Sequence, residues 1–335
     1  MKKLFASLCF LLFLAGCGND SATSVEGKEE EGTKQADKQP ATDDEQVQEK
    51  KKVKAEPVTK KDGQGDYHVL FDGDIQVKDN TLTASGTTNL LPGSKLFFQI
   101  DALDGVIIGS SATTLVKNDG SFQLEQKLPS NYDFPVVNSR IVFNPASSTD
   151  DKITSHYTEM GEPLTGPFVR LYTEGNELRK EISVGTEIPL DNTETVIPIE
   201  APSWNIPEDY GSPNVWMEAE VQEDENFIYI SGKSNLLEGT SIHGMLDIEG
   251  YITSGYSDRD NTNPDGSFHL VINHPKKKIE DLQGYEIRLK FSPSDSNSFP
   301  YIYETYGENG EQLQGNLVVN ENGENEIVYV LNVQK

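Results

Sequence analysis

Side chains that carry oxygen ligands cluster in one stretch of the second half of the chain. Residues 261–266, Asn-Thr-Asn-Pro-Asp-Gly, place oxygen atoms at alternate positions and a glycine at the sixth, as a calcium-binding loop does. The twelfth position, however, is Ile272, where such a loop needs a bidentate glutamate. Asp-Gly is also typical of a tight hairpin turn. We therefore expect a hairpin without a cofactor here. Calcium is the alternative, with the ligands Asp258, Asp260, Asn261, Asn263 and Asp265.

Aromatic residues are concentrated in a second stretch, Phe299-Pro300-Tyr301-Ile302-Tyr303. If this stretch is a β-strand, its side chains alternate between two faces, so Phe299, Tyr301 and Tyr303 share one face. Ile302 lies on the other face, and one of the two must belong to the core. An exposed aromatic face would bind a protein or a glycan, whereas a buried one would only stabilise the fold. Phe299, Tyr301 and Tyr303 are therefore the candidate binding patch.

No catalytic pattern is present in the sequence. The five histidines include no His-Glu-x-x-His motif, and no Gly-x-Ser-x-Gly, Ser-x-x-Lys or phosphate-binding loop occurs. Pairs of carboxylates are frequent in so acidic a chain, so none of them stands out. We expect a protein that is not an enzyme. The alternative is a cell-wall hydrolase that uses a carboxylate pair in a cleft between two domains.

The N-terminus has the features of an export signal. Lys2 and Lys3 precede an apolar run, 4–14, that is too short to be a permanent membrane span. The run ends in Leu-Ala-Gly-Cys at 14–17, which resembles the lipobox of bacterial lipoproteins. The resemblance implies cleavage before Cys17 and a diacylglyceryl group on its sulfur. Two acyl chains hold a protein firmly on a membrane, so we expect the chain on the extracytoplasmic face of the cell membrane.

The cysteine content and the net charge limit the disulfides and the partners that the chain can have. The only other cysteine, Cys9, lies in the leader, so the exported part has no disulfide. Residues 18–65 are polar and of low complexity, which predicts a disordered tether. The net charge of −27 argues against nucleic acid as a partner and against close contact with anionic lipid. We expect contact with the membrane through the lipid anchor alone.

A long internal repeat organises the remainder. Asn89-Leu90-Leu91-Pro92-Gly93-Ser94 returns 146 residues later as Asn235-Leu236-Leu237-Glu238-Gly239-Thr240. Asp-Gly-Ser-Phe at 119–122 returns at 265–268 with the same offset. A repeat this long is a whole domain rather than a solenoid unit. We expect the repeated asparagine to bond its own turn backbone and the leucines to fill one end of each domain.

Both copies consist of short apolar runs separated by turn residues. In the first copy the predicted strands are 67–77, 81–86, 94–102, 105–116, 140–143, 168–172 and 181–188, and Phe122 and Leu124 face inward. In the second copy they are 215–221, 227–232, 241–248, 251–256, 268–272, 285–291, 299–303, 316–319 and 326–333. Many short strands without a long helical face predict an all-β fold of two tandem β-sandwiches. The repeated pieces resemble the immunoglobulin-like or transthyretin-like domains in lipoproteins of Bacillus-type bacteria. That resemblance implies adhesion, sensing or scaffolding, and it carries no set of active residues.

The predicted organisation has five parts. They are a signal peptide (1–16), lipidated Cys17 with a disordered tether (17–65), a first β-sandwich module (66–195), a proline-rich linker (196–213) and a second module (214–335). Repeated proline predicts a semi-rigid linker, with Trp204 packed on one module. The predicted function is non-covalent binding of a surface protein or glycan by a membrane-anchored lipoprotein. A purely structural surface spacer is a further alternative.

Overall fold

The computed structural model describes residues 63–102, 111–128, 136–175, 177–190, 194–279, 282–294 and 299–334. Within these ranges the predicted all-β fold is confirmed: the strands form four antiparallel sheets, accompanied by two short α-helices. In this part of the chain no helix is long and apolar enough to cross a membrane. Cys17, the predicted signal peptide and nearly all of the predicted tether lie outside the described residues.

The first module has two sheets. Its strands are β1 (Phe71–Lys78), β2 (Thr81–Thr88), β3 (Lys95–Ala102), β4 (Ser111–Leu115), β5 (Ser121–Lys127), β6 (Val136–Phe143), β7 (Val169–Glu174), β8 (Glu177–Pro189) and β9 (Thr195–Pro198). One sheet has the order β5-β2-β1-β9 and the other the order β4-β3-β6-β8-β7. Each predicted strand of this copy overlaps an observed one.

The core of the first module lies between these two sheets. Ile75 and Leu82 come from the four-stranded sheet, and Phe98 and Ile141 come from the five-stranded sheet. Phe122 is also buried, as predicted. Because side chains alternate along a strand, the residues between these core positions lie on the outer faces of the sheets. The two sheets therefore form a sandwich with one shared core.

The second module repeats this arrangement. Its strands are β10 (Met217–Glu223), β11 (Phe227–Ser234), β12 (Ser241–Asp247), β13 (Ser257–Asn261), β14 (Ser267–Asn273), β15 (Gly284–Phe291), β16 (Val318–Glu321) and β17 (Glu324–Gln334). The sheet orders are β10-β11-β14 and β13-β12-β15-β17-β16. Ile230 and Leu270 from the first sheet pack against Ile242, Leu289 and Phe291 from the second.

One predicted strand of the second module is wrong. Residues 251–256 form turns, in which the backbone N–H groups of Tyr251 and Tyr256 donate to Ile248 and Thr253. The strand at this point is β13, whose sequence Ser-Asp-Arg-Asp-Asn has no apolar residue. β13 is an edge strand that pairs with β12, so it has no apolar face to fill. Hydrophobic alternation could not identify it.

The strand predicted at 299–303 is also wrong, because this stretch begins a helix. The helices are α1 (Asp151–Tyr157) and α2 (Pro300–Tyr306), at equivalent places in the two modules. Pro300 occupies the first turn of α2, where its missing N–H is not needed. The buried residues of α2 are Ile302 and Tyr306, which lie four positions apart on one helical face. Alternation with period two therefore does not apply to Phe299, Tyr301 and Tyr303.

The repeated asparagines connect distant segments. Nδ2 of Asn89 donates to the carbonyl of His68 at 2.7 Å, and the N–H of Leu70 donates to Oδ1 of Asn89 at 2.8 Å. Asn235 makes the matching bonds with Asn214 and Trp216, at 3.0 and 3.2 Å. Their role is structural, as predicted. The predicted hydrogen-bond partners are wrong, because each asparagine bonds the segment before the first strand of its module rather than its own turn.

The last turn of each helix contacts the repeated leucine pair. The N–H of Leu91 donates to the hydroxyl of Tyr157 at 3.0 Å, and the N–H of Leu237 donates to the hydroxyl of Tyr306 at 3.3 Å. Both tyrosines are fully buried. Burial raises the pKa of Tyr157 to about 12 and also raises the pKa of Tyr306. Each hydroxyl therefore stays neutral and satisfies a backbone donor at one end of its sandwich.

The structure moves two predicted boundaries. Gln64 is buried and Gly65 donates its N–H to the carbonyl of Asn89, so 63–65 belong to the first module rather than to the tether. β9 pairs with β1, so residues 196–198 belong to a sheet of the first module rather than to the linker. Residues 63–65 were assigned to the tether because they are polar, and β9 was assigned to the linker because it ends in a proline.

Candidate functional site

The outer face of one sheet of the first module contacts the second module. Val136, on β6, packs against the buried Phe227 and Val271 of β11 and β14. Leu171, on β7, packs against the core of the second module. The five-stranded sheet of the first module is therefore partly covered by its neighbour, and the uncovered part forms the floor of a groove.

Polar contacts fix the two modules at one wall of this groove. The N–H of Leu171 donates to Oε1 of Glu238 at 3.0 Å, and Nη2 of Arg170 donates to Oδ1 of Asn263 at 3.2 Å. Nη1 of Arg170 is buried and has no hydrogen-bond acceptor among the described residues. Burial lowers the pKa of Arg170, while the nearby Glu238 and Asp265 act in the opposite direction.

The linker is attached to both modules. The indole N–H of Trp204 donates to the carbonyl of Pro167 at 2.8 Å, and the guanidinium of Arg170 lies 4.2 Å from the centre of its ring. The next residue, Asn205, donates its N–H to Asp265 and accepts from Lys233 at 2.8 Å. The prediction that Trp204 packs on one module is confirmed, and the linker residues beside it are held by hydrogen bonds.

The groove between the modules has a volume of about 860 Å³. We call it the inter-module groove, and its charged lining comprises Arg140, Arg170, Glu181, Glu238, Arg259 and Asp260. The chain has only five arginines, and three of them lie here. Arg140 and Arg259 are exposed to solvent, whereas Arg170 is half-buried. A chain with a net charge of −27 thus places most of its guanidinium groups in one concave site.

Two of the three groove carboxylates hold the structure together. Glu238 accepts the N–H of Leu171, and Asp260 accepts the N–H of His269 at 2.9 Å. Burial raises the pKa of both, and these backbone hydrogen bonds act in the opposite direction. Their acceptor capacity is partly used within the protein.

Glu181 is different, because it accepts no hydrogen bond from the described residues. It lies directly opposite Arg170 in the pairing of β7 with β8, on the outer face of the sheet. Burial raises its pKa to about 7, and the charge of Arg140 only partly opposes this shift. Its counterpart in the second module, Glu326, has a cation at 2.6 Å, Lys290. The first module has Val142 in place of that lysine, so Glu181 has no such partner.

The predicted aromatic patch is divided by the structure. Phe299 is buried, and its ring fills the space where Gly239, at a φ of +76°, has no side chain. The hydroxyl of Tyr301 donates to the carbonyl of Glu238. Tyr303 is half-buried and lines the inter-module groove together with Phe299 and Pro300. The three residues do not form one exposed face, and Tyr303 is the member that a groove ligand could contact.

The residues of the calcium alternative make other contacts. Asp258 and Asp260 accept the backbone N–H groups of Val271 and His269 on the neighbouring strand β14. Asp265 accepts from Ser267 and pairs with Lys233 at 3.1 Å. Asn263 accepts from Arg170, and the N–H of Asn261 donates to Asp260. Across the described ranges, no group of three or more His, Cys, Asp or Glu side chains could hold a metal ion.

Sequence reasoning did not single out the groove arginines, Glu181 or Glu238. Comparison of the two copies could have identified two of these residues, because they differ between the modules. Arg259 stands where the first module has Thr113, and Glu238 stands where it has Pro92. Glycines, asparagines and buried tyrosines are kept between the copies, whereas these groove positions differ. No protein-family model matches the chain, and no curated protein matches it either.

Proposed function

We propose that this chain is a membrane-anchored extracytoplasmic lipoprotein that binds a surface protein or glycan non-covalently in the inter-module groove. The observation that carries the proposal is the groove itself. It is concave, both modules contribute to it, and it brings together three arginines, a carboxyl group that accepts no hydrogen bond from the described residues, and aromatic side chains. A few convergent polar groups beside aromatic side chains are typical of a ligand site.

The anchoring part of the proposal rests on the sequence. Leu-Ala-Gly-Cys at 14–17 supports lipidation of Cys17, and the polar stretch that follows supports a spacer between the membrane and the modules. A binding module on such a spacer reaches partners at the cell surface without approaching the anionic lipid closely. This suits a chain with a strongly negative charge.

A second candidate function is hydrolysis of cell-wall material. The observation that favours it is the pKa of Glu181, which burial raises to about 7, a value suited to a general acid. This candidate predicts that the protein releases soluble sugars from purified cell wall and that Glu181→Gln abolishes the release. Binding alone predicts no release by the parent protein.

Sedimentation with purified cell envelopes tests the binding proposal. The full chain carrying Cys17→Ala avoids attachment through the lipid, and the bound fraction is measured against protein concentration. We expect saturable binding that Arg140→Gln combined with Arg259→Gln reduces. Arg288→Gln is the matched control, because Arg288 is the counterpart of Arg140 in the second module and lies outside the groove. The proposal would be contradicted if the double variant bound as well as Arg288→Gln, or if the binding did not saturate.

A further inference from the structure

We propose that the ligand of the inter-module groove is an acidic oligosaccharide whose carboxylate is held by Arg140 and Arg259. The inference rests on the proposed function and names the ligand class of the same site. Three features of the groove lead to it: the kind of cation in its lining, the carboxyl group of Glu181 that accepts no hydrogen bond from the described residues, and the ring of Tyr303.

The cations in the described lining of the groove are arginines, with no lysine among them. Lysine is far commoner in the chain, which holds 28 lysines and arginines together but only five arginines. The planar guanidinium presents paired donors that match the two oxygens of a carboxylate, whereas the lysine ammonium acts as a point charge. A groove that needed positive charge alone would not require this choice. The selection of arginine indicates recognition of an oxyanion by shape.

Glu181 indicates that the same ligand carries hydroxyl donors. Its carboxyl group faces the groove, half-buried, without a hydrogen bond from the described residues. A carboxyl group removed from water is unfavourable unless a donor reaches it. A sugar hydroxyl can supply that donor, and a protonated Glu181 can donate in return. Inorganic phosphate offers no array of hydroxyl groups that would reach both an arginine and Glu181.

Tyr303 provides an amphipathic ring at the module-two wall of the groove. Such a ring offers an apolar face to the C–H groups of a sugar and a hydroxyl to its polar edge. A folded acidic protein is the less suitable partner, since a chain of net charge −27 repels it at long range. A short acidic oligosaccharide carries far fewer charges than a nucleic acid or a folded acidic protein, so local neutralisation by the arginines suffices, and it fits a cleft between two modules.

Calorimetric titration of the full Cys17→Ala chain tests this inference. The probes are tetragalacturonate, its methyl ester and inorganic phosphate. We expect tetragalacturonate to bind about tenfold or more tightly than either of the others, because only it offers both a carboxylate and hydroxyls. Arg140→Gln and Arg259→Gln should each weaken its binding by about tenfold, and Arg288→Gln should leave it unchanged. Circular dichroism establishes that each variant is folded.

Several results would overturn the inference. They are equal binding of the acid and its ester, binding of phosphate alone, equal affinity of Arg140→Gln and Arg288→Gln, or no binding of any probe. The envelope sedimentation separates these from a failure of the proposed function. If the groove variants still lose envelope binding, the groove is a binding site whose ligand is not an acidic sugar. If they do not, the proposed function fails as well.

Discussion

The backbone N–H of Leu171 donates to Oε1 of Glu238 at 3.0 Å, and this bond joins an edge strand of the first module to a turn of the second. Glu238 occupies the turn position that holds Pro92 in the first module, so the repeat itself does not require a carboxylate there. The hydroxyl of Tyr210 accepts the N–H of Glu238, and the hydroxyl of Tyr301 donates to its carbonyl, which fixes the turn. One wall of the inter-module groove depends on this residue.

Glu238→Ala should destabilise the contact between the modules. It leaves the N–H of Leu171 without its acceptor and removes a carboxylate near Arg170, at a cost of about 1–3 kcal/mol. We expect a lower midpoint of thermal unfolding in calorimetry. Glu218→Ala is the control, since Glu218 is exposed on β10. An unchanged midpoint for Glu238→Ala would mean that the bond does not hold the modules together.

Removal of the buried tyrosine hydroxyls should destabilise each module. Tyr157→Phe and Tyr306→Phe each leave a backbone N–H of the repeated leucine pair without an acceptor, which costs about 1–3 kcal/mol. Urea unfolding measures the free energy, and the exposed Tyr67, changed to Phe, is the control. If both variants are as stable as the control, the shared tyrosine contact contributes nothing to the fold.

The free energy of unfolding should depend on the ionisation of Glu181 between pH 4.5 and 7. Burial raises its pKa in the folded state to about 7, above the usual value of 4.5, so the folded state binds the proton more tightly. The contribution of protonated Glu181 to the free energy of unfolding is therefore fully present below pH 4.5 and is lost as the pH rises to 7. Glu181→Gln cannot ionise, so its free energy of unfolding relative to the parent should rise between pH 5 and 8. After discounting for solvent screening, we expect a rise of about 1–2 kcal/mol.

The control for this pH dependence is Glu125→Gln, because Glu125 is exposed on β5. Urea unfolding at several pH values gives the comparison. Because burial raises the pKa of Glu181, the difference in free energy of unfolding between variant and parent should change with pH for Glu181→Gln and not for Glu125→Gln. A constant difference would contradict the raised pKa.

The all-β fold followed from the sequence because core strands alternate strongly. Leu96, Phe98 and Ile100 on β3 are buried as the pattern predicts. Strand β13 was not predicted, because it is an edge strand without an apolar face. Its aspartates accept hydrogen bonds from the backbone of β14. The start of α2 was misassigned, because aromatic residues at positions 299, 301 and 303 imitate the alternation of a strand.

The groove could not be predicted from the sequence. Its residues come from β6, β7, β8, β13, the start of α2 and the turns between strands, which are far apart along the chain. They converge only because the outer face of one sandwich packs on the other module, and outer faces carry no strong hydrophobic pattern. Val136 and Phe227, which make that contact, look like ordinary strand residues. Of the predicted patch, Tyr303 lines the groove, and Phe299 does so as a buried residue.

Loss of the predicted lipid site should release the protein from the membrane. Cys17→Ala removes the sulfur that the diacylglyceryl group requires, and with it two acyl chains that would anchor the protein. Fractionation of cells should then find the variant in soluble fractions and the parent in the membrane fraction. The control is Cys9→Ala, which changes the cysteine within the predicted signal peptide. Retention of Cys17→Ala in the membrane would contradict anchoring through this residue.

Photo-crosslinking in cells shows whether a surface partner occupies the inter-module groove. A photoreactive amino acid replaces Tyr303, which lines the groove, or Val330, which is exposed on β17 outside it. After irradiation, adducts are identified by mass spectrometry. We predict one defined adduct from position 303 and none from position 330. No adduct from position 303, or the same adducts from both positions, would contradict the claim and favour a structural spacer.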